Sequence, residues 1–318
     1  MSIKPILIVT GEPFSIFSEI LCKAIKKSKF KRPLVLIGSF KLLSKQIKFF
    51  NSGLSLNIIN KNFNYKDLKK NKINLINVNF NFKNTFQKIS KLSISYNYKC
   101  FELGLKLMKT KKFEGFINGP ISKKYFFKNK FFGITEFLAK KTGSKNYAML
   151  IYNKKLAVSP ISTHVPLKDI TNYISKKKII NHVITIKKFY KKHLKKNPRI
   201  VITGLNPHCE SNFKSSEEEK VIKPALKYLK KKYSNVSGPY STDSLFMREN
   251  LKNFDVVVGM YHDQVLTPIK TIYGFDAINI TLGLPFIRIS PDHGPNNQMI
   301  GKNKSNPQSL ISAIKFLD

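Results

Sequence analysis

Pro5-Ile-Leu-Ile-Val-Thr10-Gly11-Glu12-Pro13 decides the fold class. An unbroken apolar run between a proline and a Gly-Glu-Pro turn is the pattern of a strand buried on both faces. The residues after it, through about Lys27, have helical periodicity, and Pro33–Gly38 (Pro-Leu-Val-Leu-Ile-Gly) reads as a second strand. The same alternation continues to the C-terminus. It predicts strands at Gly115–Asn118, Tyr147–Tyr152, Leu156–Ser159, Arg199–Thr203, Val256–Met260 and Ala277–Ile280. Helices are predicted about Tyr96–Lys109 and near Lys177–Lys192, Ser216–Lys231 and Gln308–Leu317. Strands alternating with helices imply an α/β protein with a mostly parallel sheet. Segment 60–84, rich in Asn and Lys and poorly periodic, reads as a surface excursion. His182 and His193 lie among lysines and read as surface residues. No Gly-x-Gly-x-x-Gly follows the first strand, so the dinucleotide fingerprint of the Rossmann fold is absent.

Length and composition set outer limits. The 318 residues are enough for one large or two medium domains. No apolar run reaches the roughly 18–20 residues that span a bilayer, and the N-terminus lacks a signal-peptide profile. Cys22, Cys100 and Cys209 are scattered with no CxxC, which fits a reducing cytoplasm better than a disulfide framework. The formal charge of +39 resembles that of a nucleic-acid binder. Yet the lysines are spread evenly among Asn, Ile and Phe, and Arg is scarce. Specific readers concentrate basic residues and favour Arg, so the charge reads as compositional bias, with salt-dependent attraction to polyanions as a side effect.

Three histidines each sit where an apolar run breaks into a polar turn: His164 in Ser162-Thr-His-Val-Pro, His208 in Gly204-Leu-Asn-Pro-His, and His262 in Met260-Tyr-His-Asp-Gln264. The carboxyl ends of parallel strands share one edge of an open α/β sheet, where ligands bind. Three imidazoles brought to that edge suffice for a catalytic divalent metal with open positions. On spacing alone, three unrelated loop histidines are an equally good reading.

The company of these histidines adds to the argument. In order along the chain stand Gly11-Glu12-Pro13, Asn118-Gly-Pro-Ile-Ser-Lys123, Gly133-Ile-Thr-Glu-Phe137, the three histidine motifs, and Asn279-Ile-Thr-Leu-Gly-Leu-Pro-Phe-Ile-Arg288. Together they resemble the 4-hydroxythreonine-4-phosphate dehydrogenase family of pyridoxal phosphate biosynthesis. The resemblance implies two α/β/α subdomains of isocitrate/isopropylmalate dehydrogenase type with the active site in the cleft between them. The cofactor-side subdomain would span approximately 1–120 plus 279–318, and the metal and dimerisation subdomain approximately 121–278. It further implies a homodimer whose metal is held by histidines of both chains, with His164, His208 and His262 as ligands. Zn²⁺ is the first choice, with Co²⁺ or Mg²⁺ as others. The implied reaction is NAD- (or NADP-) dependent oxidation and decarboxylation of 4-phosphooxy-L-threonine to 3-amino-2-oxopropyl phosphate. A metal-chelated hydroxyl is acidified and its developing alkoxide stabilised during hydride loss.

By the same resemblance Thr135, Lys270, Asn279 and Arg288 contact the substrate, and Lys270 can also relay a proton. Asp263 and Asp243 are candidates for orienting the imidazoles; for Asp243 a helix N-cap stands as an equal alternative. Gly11, and His293 and Gly294 in Ser290-Pro-Asp-His-Gly294, fall on cofactor-binding positions. Two departures stand out. Ile134 replaces the family's usual His, and Ser15-Ile-Phe-Ser-Glu19 replaces a glycine-containing run. The first leaves open a dehydrogenase for a related phosphorylated four-carbon hydroxy acid, a phosphothreonate or phosphoerythronate. The second disfavours any φ > 0 conformation in the first loop. A non-catalytic basic binding protein and a three-histidine metal hydrolase are the alternatives from other classes. No specific nucleic acid and no membrane is expected as partner.

Overall fold

A strand with no polar face needs cover on both sides, and the chain meets that need twice. The computed structural model describes residues 3–122, 126, 133–209, 214–274 and 276–318; Lys123 of the Asn118 motif lies outside them. The chain divides into two units, Met1–Lys130 with Phe286–Asp318, and Phe131–Pro285. Both are mixed α/β.

In the first unit the strands are β1 (Ile6–Val9), β2 (Leu34–Gly38), β3 (Leu56–Ile58), β4 (Ile73–Asn77), β5 (Phe116–Asn118) and β12 (Arg288–Pro291). They run in the order β3-β4-β2-β1-β5-β12, and every pairing between them is parallel. Helices α1 (Phe17–Lys27), α2 (Phe40–Phe49), α3 (Ser93–Lys109) and, at the C-terminus, α8 (Gln308–Leu317) accompany them. α3 packs on β1 and β2, while α1 lies against α2 and α8. β1 is wholly buried, as its composition requires. Segment 60–84 corrects the expectation of a surface excursion. It contains β4, which lies inside the sheet between β3 and β2. Its buried Asn74 donates to Leu34 O at 3.1 Å and accepts from Asn57 Nδ2 at 2.8 Å. An asparagine satisfied in this way is stable in a sheet interior, although composition marks it as loop.

In the second unit the strands are β6 (Ala148–Tyr152), β7 (Ala157–Pro160), β8 (Ile200–Thr203), β9 (Val236–Tyr240), β10 (Val256–Gly259) and β11 (Ile278–Leu282). Their order is β11-β6-β7-β10-β8-β9. β6 is antiparallel to both neighbours, and the remaining pairs are parallel. The helices that matter are α4 (Ile134–Thr142), α5 (Lys176–Phe189), α6 (Lys223–Lys232) and α7 (His262–Tyr273). Val158, Val201, Val257, Val265 and Ile269 form the core between α7 and the sheet. His182 is a second correction: it is buried, 8% exposed, and its Nε2 lies 2.6 Å from Ser159 Oγ. Lys176, Lys177, Lys178 and Lys188 of α5 are exposed, while His182 lies on the helix's buried face with Ile179, Val183 and Ile186. His193 is exposed, as expected.

The turn after β1 shows why glycine is needed at 11. Its φ is +75°, and a Cβ there would collide with the Gly119 and Pro120 carbonyls. Ser15-Ile-Phe-Ser-Glu19 is accommodated without positive φ: Ile16 sits at φ −72°, and Phe14, Ile16 and Phe17 are buried. Beside this turn Glu12 is buried and accepts from Ser93 Oγ at 2.8 Å and Asn97 Nδ2 at 3.2 Å, while its Oε1 has no partner.

Burial raises the Glu12 carboxyl to about 7 against these hydrogen bonds. Between its unfolded value of 4.5 and about 7, the folded state therefore holds the extra proton, so stability falls as pH rises through that window. The full loss amounts to about 3 kcal/mol. Urea unfolding of wild type and Glu12→Gln from acid to neutral pH checks this: the difference between them should grow in favour of the variant as pH rises. A constant difference across the window would refute it.

Candidate active site

β7, β10 and β8 are neighbours in the second unit, and their carboxyl ends share one edge. His164 follows β7, His262 opens α7 after β10, and His208 follows β8. The His164 and His262 rings come together with centroids 5.9 Å apart. His208 sits in the positive-φ region at +59° and lies near enough to Asp243 for its charge to help lower that carboxyl. Among the described residues no three His, Cys, Asp or Glu side chains of one chain form a metal-binding group. Two of the three histidines are thus adjacent within a chain.

Gln264 builds this edge. Its Oε1 accepts from Met260 N at 2.7 Å and Thr203 Oγ1 at 3.0 Å, and its Nε2 donates to Gly204 O at 2.7 Å and Thr242 Oγ1 at 3.0 Å. One buried amide therefore ties the ends of β10 and β8 to the short helix that carries Asp243. Gln264 lies within the His262 motif and has no role in the sequence reading; an amide two residues after a strand-end histidine is the available signal.

The other expected residues take the following places. His262 Nδ1 is 2.7 Å from Asp263 Oδ1, which directs the ring's Nδ1–H to the carboxylate and leaves Nε2 for a ligand. Asp243 is exposed in the first turn of Thr242–Leu245, whose N-cap is Ser241. It accepts from Ser241 Oγ and from Ser244 N, and these hydrogen bonds, with the charge of His208, hold it below the usual carboxylate range. Thr135 is buried in the first turn of α4 and pairs with Thr281 Oγ1 at 3.2 Å. Asn279 stands on β11 with its Oδ1 buried and unpartnered. Lys270 is exposed on α7, roughly 12 Å of axial rise beyond His262.

Gly133 caps α4 and lies close under His164: a Cβ there would meet the imidazole at 2.9 Å. Glu136, in the same turn, accepts from Thr163 Oγ1 at 2.9 Å. Thr135, Glu136 and Thr163 also wall a cavity of about 160 Å³ with Tyr147, Tyr173 and His182, which neither His164 nor His262 lines. Burial, then the Glu136 charge, pushes the Tyr147 and Tyr173 phenols up. His182, in the cavity wall, and Ser159 behind it are not a base and nucleophile. Ser159 Oγ donates to Met149 O at 2.5 Å, so the imidazole must donate to it, and burial holds His182 down at about 4.

In the first unit Arg288 is fully buried, and its Nε donates to Asn118 Oδ1 at 2.8 Å. His293 has both ring nitrogens buried without a hydrogen-bond partner, and burial lowers it to about 4. Gly294 is exposed.

Comparison with known proteins now decides the lineage. The profile of the pyridoxal phosphate biosynthetic protein PdxA family matches residues 29–317. The chain belongs to the PdxA family. A 4-hydroxythreonine-4-phosphate dehydrogenase of Sulfurihydrogenibium sp. (strain YO3AOP1) is 40% identical over 318 residues, 97% of this chain and 96% of that one. The crystal structure of the 4-hydroxythreonine-4-phosphate dehydrogenase of Klebsiella pneumoniae superposes with a TM-score of 0.84 at 26% identity, covering 99% and 98% of the two chains. A D-threonate 4-phosphate dehydrogenase of Pectobacterium atrosepticum is 32% identical over 222 residues, 69% of this chain and 68% of that one. Like its PdxA relatives the chain is a dehydrogenase. No described helix is long and apolar enough to cross a membrane.

Replacing Gln264 with Ala leaves the Met260 N–H, the Gly204 carbonyl and the Thr203 hydroxyl buried without their partner. The expected cost is about 3 kcal/mol, read from urea unfolding. A loss under about 1 kcal/mol would mean that the strand ends hold without it.

Proposed function

We propose that the chain oxidises and decarboxylates 4-phosphooxy-L-threonine to 3-amino-2-oxopropyl phosphate with NAD and a divalent metal, in pyridoxal phosphate biosynthesis. The observation that carries this reading is the meeting of His164 and His262 at adjacent strand ends in a PdxA-family chain. The donor set fits a divalent transition ion, with Zn²⁺ the first choice: neutral imidazoles, one with its second nitrogen bound to a carboxylate. His208 is the third ligand. Because no such group of three closes within one chain among the described residues, the reading takes a homodimer whose second copy completes the set.

When bound, the ion supplies the positive charge that lowers the pKa of the substrate's hydroxyl and favours loss of CO₂. The chain's own residues do the rest. Asp263 orients His262 and keeps its Nε2 available. Thr135 and Asn279 offer polar groups to the substrate, and Lys270 offers a cation to an anionic group and a site for proton relay. For the nicotinamide cofactor, the two unpartnered ring nitrogens of His293 fit a polar ligand edge brought from outside the chain.

A second reading keeps the chemistry and changes the substrate to a threonate 4-phosphate. Ile134 at the first position of α4 supports it, since an apolar side chain stands where the family usually has His, and a relative bears that activity in its name.

Purified protein with NAD, a divalent metal and 4-phosphooxy-L-threonine should produce NADH, and His262→Ala should abolish it. Turnover of D-threonate 4-phosphate alone would establish the second reading; turnover of neither, by protein that binds no metal, would overturn both. If the first reading holds, Ile134→His should lower KM for 4-phosphooxy-L-threonine by about tenfold or more, the value of a charge-assisted hydrogen bond. An unchanged KM would remove residue 134 from substrate binding.

A further inference from the structure

We propose that Glu218 is the positioning residue for the His208 imidazole, acting through the backbone of Leu205 and Asn206. The inference rests on the reading of His208 as a metal ligand. Glu218 is fully buried at the head of the irregular helix Glu218–Ile222 that leads into α6. Both of its oxygens are engaged by the loop that ends in His208. Oε1 accepts from Leu205 N at 2.7 Å and Asn206 N at 2.9 Å, and Oε2 accepts from Asn206 Nδ2 at 2.8 Å. Glu217 Oε2 adds a contact to the same amide at 3.0 Å.

Two features argue that this contact places His208 and does not merely anchor a helix. First, the carboxylate has no lysine or arginine within ion-pair distance among the described residues, in a chain of net charge +39. A buried charge held by loop N–H groups alone is matched to that loop conformation. Burial acts to raise the carboxyl, and the Asn206 and Leu205 donors outweigh it and hold it below the usual range. Second, the loop it grips is one that a chain does not adopt unaided. His208 and Cys209 both have positive φ, +59° and +56°, and such a pair of residues persists only where neighbours over-determine it. Gly204 is held by Tyr240 O and by Gln264, Leu205 and Asn206 by Glu218, and Cys209 N closes on Asn206 O at 3.3 Å. A Cβ at Gly204 would press on Glu218 Oε1 at 3.1 Å, so the carboxylate also fills the space under the turn.

The test uses the full chain stripped of metal. Co²⁺ binding is titrated by calorimetry, thermal stability is recorded in parallel, and hydrogen exchange at the Leu205 and Asn206 amides is followed without metal. Glu218→Gln keeps an acceptor for the two backbone N–H groups but sets a donor against Asn206 Nδ2. It should weaken Co²⁺ binding about tenfold with a small change in Tm, and Glu218→Ala by up to about a hundredfold, the range for outer partners of metal ligands. Both amides should exchange faster in Glu218→Ala. Glu218→Asp keeps the charge and withdraws the carboxylate, so its affinity should stay low. Should Glu218→Ala not fold, the Gln and Asp variants decide.

His208→Ala separates the two levels of the argument. If it loses Co²⁺ affinity while Glu218→Gln and Glu218→Asp bind as wild type, the positioning role is overturned and the ligand reading stands. If His208→Ala binds as wild type, or wild type binds no Co²⁺, the ligand reading fails and the proposal with it.

Discussion

The side chain of Gln264 is the constraint on which the site depends. Four hydrogen bonds from one buried amide join the end of β10, the end of β8 and the short helix after β9. These are the segments that carry His262, His208 and Asp243. A parallel sheet aligns its strand ends only roughly, since each strand leaves the ladder where its own last hydrogen bond is made. Burying one amide across two ends sets a common edge, because any slip leaves a donor or acceptor in the core without a partner. His164 reaches the same edge by packing: Gly133, lacking a Cβ, lets the first turn of α4 close onto its ring.

A chain with 57 basic and 18 acidic residues uses several of its few carboxylates in the interior. Glu12, Glu19 and Glu218 are all buried, and each ties a loop to a helix. Glu12 receives Ser93 and Asn97 beside the turn after β1. Glu19 joins α1 to the segment before α8 through Ser305 N at 2.5 Å, and it pairs within α1 with Lys23 at 2.7 Å, whose ammonium donates on to Asn303 O and Ser305 O. Glu218 receives the loop before His208. The contrast with the lysines is physical. An ammonium on a long stem keeps its charge in water at little cost, so lysine can accumulate on the outside as the composition drifts. A carboxylate that accepts backbone N–H groups has no such substitute, and its position is tied to the loop that it caps.

The strands with continuous apolar runs were legible because a both-face-buried strand has no other composition: β1, β2, β8 and β10 lie where the runs are. β4 was not, since Asn74 and Asn77 interrupt its short apolar run and only the neighbouring strand shows where the Asn74 amide goes. β6 is antiparallel for a reason that apolar runs do not carry, because periodicity records burial and not direction. His182 was misplaced by its lysine-rich surroundings; one helical position of α5 faces Ser159 while its neighbours do not.

The sequence by itself determined the α/β class, the residue types at each strand end, and through the ordered motifs from Gly11 to Arg288 the family. Those properties are local, or are written as matches in order, and so survive without coordinates. Tertiary structure alone decided which of the strand-end residues meet. It placed His164 beside His262, set Asp263 on the His262 ring, turned Arg288 onto Asn118, and gave Gln264 and Glu218 their work. Strand order is the reason. β7, β10 and β8 are neighbours although long stretches of chain separate them, and adjacency across a sheet follows from how the whole core packs, which no window of sequence contains.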